Sequence, residues 1–500
     1  MAEPLRCVDP DALLTGWDFS TGAAKCLAFD LSGKTLAEAR LPTDLWTADG
    51  VSELSVTFLE GQARAVTRSL AAKLDALGLL SKWVAGGISA THHTSGRIDK
   101  DRAQVRRAIC WNDMTLARFH QEGLARLGGQ DRARELTGGP WAIRYSLSHL
   151  VKDEATLSRK DWERTWRILP HGSLAAGFLT GNFDHASLSS AASTGMMDLR
   201  SGRWRPEMLD ALASEDYRRL ALSQLPPILD ASTPVGTLLP DLAQASPLVF
   251  PTLDDQAAGL IGGGAVDAGQ VALILGNSAV VNSSGAAQPS SGSLDVMRLN
   301  SGPYLWMRCY NNGAQFLDPV LGPNPDWKTL ELAGEKAAPC ACPVMPFLHP
   351  EPSVGVHQSS LAWTEGQPPD IGQRYRSSLE ALAYLMARGV REHEAAGQRI
   401  TRLTMSGGIA RSPLMGRILA SVLERPLERL ESDEGPALGA AASALAALET
   451  HRRKARGIGD PYTVADAVAQ MVRFRERAEP VAEWVPAYRA GYAAFLARVG

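Results

Sequence analysis

Apolar and polar positions along this chain follow two different periods. Continuous apolar, β-rich runs at residues 84–89, 166–169, 271–275 and 403–406 have the length and bounds of buried strands. Residues 59–77 and 379–396 instead repeat apolar positions at helical spacing. The alternation predicts an α/β fold. Two stretches read as strand, turn, strand: residues 13–30, and Val271-Ala272-Leu273-Ile274-Leu275-Gly276-Asn277-Ser278-Ala279-Val280-Val281-Asn282. Two similar hairpins so far apart predict two related domains facing one cleft, a weak internal duplication. Pro- and Gly-rich connections fall near 225–240 and 284–303, and residues 349–373 read as irregular loop. The boundary is expected near residue 268, dividing 1–268 from 269–500.

Composition narrows the class without changing this picture. Five hundred residues exceed the usual single domain. A 45% apolar content, 21% charged residues and a net charge of −3 describe an ordinary globular protein. No basic patch with interleaved aromatics points to nucleic acid. Six scattered cysteines read as reduced thiols, and Cys340-Ala341-Cys342 lacks the second pair that a zinc site needs. Neither a secretory leader nor a membrane-length apolar run is visible, so a cytoplasmic protein without membrane contact is expected.

The turns carry the chemistry. The first hairpin turn brings together Asp18, Ser20, Thr21, Gly22 and Lys25. Successive turn N–H groups with small side chains form an anion-binding concavity. Asp18 is suited to holding Mg²⁺ through water, and Lys25 to offsetting phosphate charge. The second turn, Gly276-Asn277-Ser278, has the same character. Near residue 406 an apolar strand runs into Gly407-Gly408, and tandem glycines let backbone lie against a flat ligand such as a nucleoside. Between the hairpins, Leu253-Asp254-Asp255-Gln256 ends a short strand ahead of small residues that begin a helix. A carboxylate there can accept the proton of an attacking alcohol. The structural alternative is that one carboxylate caps the helix.

Taken together, these segments resemble the FGGY carbohydrate kinases. Leu403-Thr404-Met405-Ser406-Gly407-Gly408 through Glu434-Gly435-Pro436-Ala437-Leu438-Gly439 resembles the family's adenosine-binding segment, which carries over Gly407, Gly408 and Ser412 as ATP contacts. Asp18 to Thr21 resembles its Asp-x-Gly-Thr loop, with Ser20 in the glycine position. Gly276, Asn277 and Ser278 match its Gly-Thr-Ser, with Asn277 replacing Thr. Asn311-Asn312-Gly313 retains much of its nucleotide-side loop. Asp255 and Gln256 match the catalytic Gly-Asp-(Gln/Asn), with Asp254 in the glycine position.

On the sugar side, Thr91-His92-His93 lies where the xylulokinase segment has Gln-Met-His, so His93 matches its histidine. Trp111-Asn112-Asp113 resembles the pentulose-kinase Trp-Asn-Asp, an aromatic face beside hydrogen-bonding groups that suits a polyol. The family's Pro-Lys-x-x-Trp is absent near residues 146–150. Its Asp-Ala-Ser and Gly-Glu-Arg segments stand here as Ser190-Ala191-Ala192 and Pro350-Glu351-Pro352.

The resemblance implies two actin-like ATPase domains, each with a ribonuclease-H-like core, hinged around a central cleft. It implies transfer of the γ-phosphoryl group of ATP to a ketopentose, D-xylulose first, with Asp255 as base and Mg²⁺ held by Asp18 and Asp255. Kinases for ribulose, another ketose or polyol, or glycerol stand as alternatives. So do a catalytically silent nucleotide- and sugar-binding regulator and an actin-like filament ATPase. The partners are a small ketose and ATP, and a homodimer is left open.

Overall fold

Strands β1 (Leu13–Phe19) and β2 (Ala23–Phe29) form the predicted first hairpin, and β3 (Thr35–Pro42) extends it antiparallel. The computed structural model describes residues 6–322, 324–340 and 344–499. Cys342 of the Cys-x-Cys pair lies outside them. The chain then crosses over through α1 (Val56–Ala76), whose Ser55 side chain accepts the Phe58 N–H at 3.1 Å as an N-cap. It returns as β4 (Trp83–Ala90), parallel to β1. A two-residue β5 (Leu248–Val249) lies parallel on the far side of β4, followed by α2 (Asp255–Gly262).

The second sheet repeats this plan. Strands β6 (Gln270–Leu275), β7 (Ala279–Gly285) and β8 (Tyr304–Tyr310) run antiparallel in succession. The crossover helix α3 (Ile371–Ala395) leads to β9 (Arg402–Ser406), parallel to β6. Helix α4 (Pro413–Leu423), strand β10 (Glu428–Arg429) and helix α5 (Gly435–Arg456) complete the unit. Both sheets therefore share the strand order third, second, first, fourth, fifth.

Three expectations need correction. Helix α3 begins at Ile371 rather than near 379, because Asp370 caps the Gln373 N–H at 2.8 Å. The polar first turns that hid this start include Arg376 and Glu380, a fully buried i,i+4 ion pair at 3.1 Å. The stretch 349–373 is not all loop: Ser360–Trp363 pairs antiparallel with Val344–Phe347. The connection 284–303 likewise holds an edge strand, Asp295–Arg298, on β8. Among the described residues, no helix is long and apolar enough to cross a membrane. Cys7, Cys26, Cys110, Cys309 and Cys340 are free thiols.

Helices α2 and α5 join the two halves. Helix α5 follows the second sheet yet packs on β1 and β4 of the first, and it crosses α2. At the crossing, a β-carbon on Gly439 would overlap the Ala258 carbonyl oxygen, and one on Gly262 would overlap that of Gly435. Backbone has nowhere to retreat, so added volume must move a helix. Gly439→Ala should therefore destabilise the protein by about 1–3 kcal/mol. Gly61→Ala, in the open exposed face of α1, should stabilise it by about 0.4–1 kcal/mol. Denaturant unfolding of both variants tests this, and equal shifts would remove the crossing as a packing constraint.

Candidate functional site

The acidic pair at the start of α2 divides its labour. Asp254 is the N-cap: its Oδ1 accepts the Ala257 N–H at 2.8 Å. Its Oδ2 accepts a hydrogen bond from the Ser189 hydroxyl at 2.8 Å, and the same hydroxyl receives the Asp254 N–H at 3.1 Å. The capping alternative thus falls to Asp254. Asp255 is left with a buried Oδ1 that has no hydrogen-bond partner, while 28% of its side chain stays exposed. Burial, then the negative charges of Asp254 and Asp18, push its carboxyl up to about 8. Burial also raises Asp254 and Asp18, each to about 6.

Asp18 ends β1 and accepts from the Ser89 hydroxyl on β4 at 2.9 Å. Its negative charge is among the causes that raise the Asp255 carboxyl. Such a pair is the donor chemistry that a hard divalent cation takes.

Two histidines form the wall beside Asp255. His93 has a left-handed backbone, φ +57°, at the end of the β4 segment, a conformation uncommon outside glycine. Its Nδ1–H donates to the Ser193 carbonyl at 2.6 Å, and its ring stacks on Tyr145 at 4.3 Å. That hydrogen bond leaves Nε2 of the neutral ring as a buried acceptor without a partner. His92 is 5% exposed, and both its ring nitrogens lack hydrogen bonds. Its Nδ1 lies 3.6 Å from Asp254 and 3.8 Å from Asp255. Burial holds both rings well below the usual histidine range, hence neutral.

Several residues that the resemblance assigns to ATP lie at or against the second hairpin turn. Gly276 and Ser278 are half-buried and Asn277 is exposed. The Asn312-Gly313 loop docks on this turn through the Ala314 N–H, which donates to the Gly276 carbonyl at 2.8 Å. Gly407 has φ +90° and sits against the Leu275 backbone, whereas Gly408 faces open space. Ser412 is the N-cap of α4, accepting the Met415 N–H at 3.0 Å and donating to Glu331 at 2.8 Å. Asn312 is spent on holding its loop, bonding to the His349 backbone and to Glu351. In the first turn, Ser20 accepts the Ala23 N–H at 3.2 Å and Thr21 is half-buried. The Lys25 ammonium pairs with Glu434, just ahead of α5. Gln256 accepts from the Asn282 amide at 3.1 Å.

Trp-Asn-Asp is more tightly committed than its resemblance implied. The Asp113 carboxylate is buried and accepts from Lys152 at 3.1 Å and from the Thr115 N–H at 2.8 Å. Asn112 accepts from the Ser52 hydroxyl at 2.8 Å, and Trp111 is exposed. Sequence reasoning missed His92, Ser189 and Glu351. Ser189 adjoins the Ser190-Ala191-Ala192 segment, and Glu351 braces the Asn311-Asn312 loop, so the altered segments were the available signals.

The raised Asp255 carboxyl sets a pH dependence. A carboxyl moved from 3.8 to about 8 contributes stability that is fully present below about pH 4 and is lost as pH rises through 8. Asp255→Asn removes that loss. With divalent cations chelated, the variant should exceed wild type by about 1–3 kcal/mol at pH 9, and the gain should shrink towards pH 5. Thermal unfolding across this range checks it; a pH-independent difference would mean that Asp255 is not strained by its charge.

Comparison with known proteins bears on the family and the fold. The N-terminal domain of the FGGY family of carbohydrate kinases matches residues 13–262, and the family's C-terminal domain matches residues 325–448. The xylulose kinase of Escherichia coli (strain K12) is 28% identical over 372 residues, 71% of this chain and 74% of that one. A ribulokinase of Mycolicibacterium smegmatis is 34% identical over 124 residues, covering 25% of this chain and 20% of that one. The solved xylulose kinase of Rhodospirillum rubrum superposes with a TM-score of 0.81 at 21% identity, covering 97% of this chain and 98% of that one. The fold is the two-domain actin-like ATPase fold of these kinases. With half its length under the N-terminal domain alone, this chain belongs to the FGGY family of carbohydrate kinases.

Proposed function

We propose that this kinase transfers the γ-phosphoryl group of MgATP to a hydroxyl of a ketopentose, with D-xylulose giving D-xylulose 5-phosphate. The observation that carries the reading is the unpartnered Asp255 oxygen beside a fully engaged Asp254. A carboxyl near 8 is a stronger base than an ordinary aspartate, so Asp255 takes the proton of the attacking hydroxyl. His93 Nε2 accepts from a second sugar hydroxyl. Asp113 acts on the pocket through Lys152 and the turn that carries Trp111 and Asn112. Gly276, Asn277 and Ser278, with Ser20 and Thr21, hold the phosphates, and Gly407 and Gly408 lie along the nucleoside. Asp18 and Asp255 would hold Mg²⁺, which neutralises charge on the phosphates when bound. The parts 1–268 and 269–500 close on the two ligands and exclude water.

The xylulose kinase relatives support the substrate, and the ribulokinase segment makes ribulose its competitor. A panel of ketoses and polyols with MgATP, reading ADP and sugar phosphate separately, tests the choice. D-xylulose should give the highest kcat/KM. Asp255→Asn should cut phosphoryl transfer by roughly 10²–10⁴-fold with MgATP binding kept. Asn277→Thr should be tolerated, and Asn277→Ala should lose turnover more than ADP affinity. Wild type that binds both ligands yet yields no sugar phosphate would overturn the kinase reading.

A further inference from the structure

His92 has no role in the proposed phosphoryl transfer. It lies deeply buried with two bare ring nitrogens, which is costly unless something binds them. It is aimed at two carboxylates, 3.6 and 3.8 Å from Nδ1. Among the described residues, these two contacts with His92 are the ion-pair contacts that Asp254 and Asp255 make. The nearby basic groups are committed elsewhere, Arg144 to Asp295 and Lys25 to Glu434. One ligand atom from each of His92, Asp254 and Asp255 lies within 4.8 Å of the others.

We propose that His92, Asp254 and Asp255 form a binding site for a first-row divalent transition-metal ion, occupied without nucleotide. Ligand atoms about 2.1 Å from a common ion stand some 3–4 Å apart, as His92 Nδ1 does from each carboxylate. One imidazole nitrogen with two carboxylate oxygens favours cobalt, zinc or manganese over magnesium, which prefers oxygen alone. The ring nitrogen is available because no other group claims it. Asp254 can join without leaving α2, since each of its oxygens keeps a second lone pair beyond its hydrogen bond. Whereas the proposed Mg²⁺ site offers oxygens alone, this site shares its Asp255 and adds a nitrogen donor. An ion there would take the lone pair of Asp255 and slow the kinase. That consequence rests on the proposed function, whereas binding itself does not.

The test uses Co²⁺ alone, added to nucleotide-free enzyme treated with chelator and then desalted. Calorimetry should give one site, and the visible spectrum should show ligand-field bands without near-ultraviolet thiolate charge-transfer bands. His92→Met, the residue of the resembled xylulokinase segment, should weaken binding by at least ~10-fold. His92→Gln is the second variant should Met disturb folding, with melting temperature reporting integrity. Failure of wild type to bind Co²⁺, thiolate bands that move the ion to a cysteine, or unchanged affinity in either folded variant would each overturn the site. Kinase assays with MgATP are read separately, so an inactive but Co²⁺-binding enzyme would sink the functional reading and leave this one standing.

Discussion

The structure depends on a backbone-to-backbone crossing between α2 and α5. Each helix follows the last strand of its own sheet and then leans on the other sheet, α5 on β1 and β4, α2 on β6 and β7. An ordinary helix pair keeps its axes 8–10 Å apart because side chains intervene. Here Gly262, Gly435 and Gly439 remove the side chains at the contact, and Ala258 adds little more. The crossing lies inside a core that the halves share, with Leu14, Phe29 and Ala85 of the first half and Ala272, Val280 and Met307 of the second in one cluster.

The acidic pair sits at the start of one of the two crossing helices. Asp254 and Asp255 are the cap and the first residue of α2, so the proposed base rides on the crossing itself. Ser189 anchors Asp254 to the first half. Burial of the Asp255 carboxyl, beside two others, raises its pKa. That strain is acceptable where a ligand supplies the missing partner.

The sequence was most readable where local chemistry decides structure. Both hairpins, the crossover helices and the strand leading to Gly407 follow from apolar runs and turn residues acting over a few positions. The start of α3 was hidden because Arg376 and Glu380 look solvent-exposed until they are seen to neutralise each other in the core. The Ser360–Trp363 and Asp295–Arg298 strands were hidden because edge pairing depends on a distant partner. The division between Asp254 and Asp255 needed Ser189, sixty-five positions away. The commitment of Asp113 needed Lys152, from a helix that carried no motif. Resemblance locates a motif, but which of its polar atoms remain unspent is decided by neighbours brought by the fold.

That distinction explains how the cleft can be poised without a ligand. Its cations are already paired across the halves: Lys25 of β2 with Glu434 ahead of α5, and Arg144 of the first half with Asp295 beside β8. These pairs hold the halves in register and remove positive charge from the interior. What remains is three carboxyls, Asp18, Asp254 and Asp255, each pushed upward by burial and so inclined to keep its proton. A cation brought beside them would favour their ionised forms. The crossing of α2 and α5 puts Asp254 and Asp255 where the two halves meet.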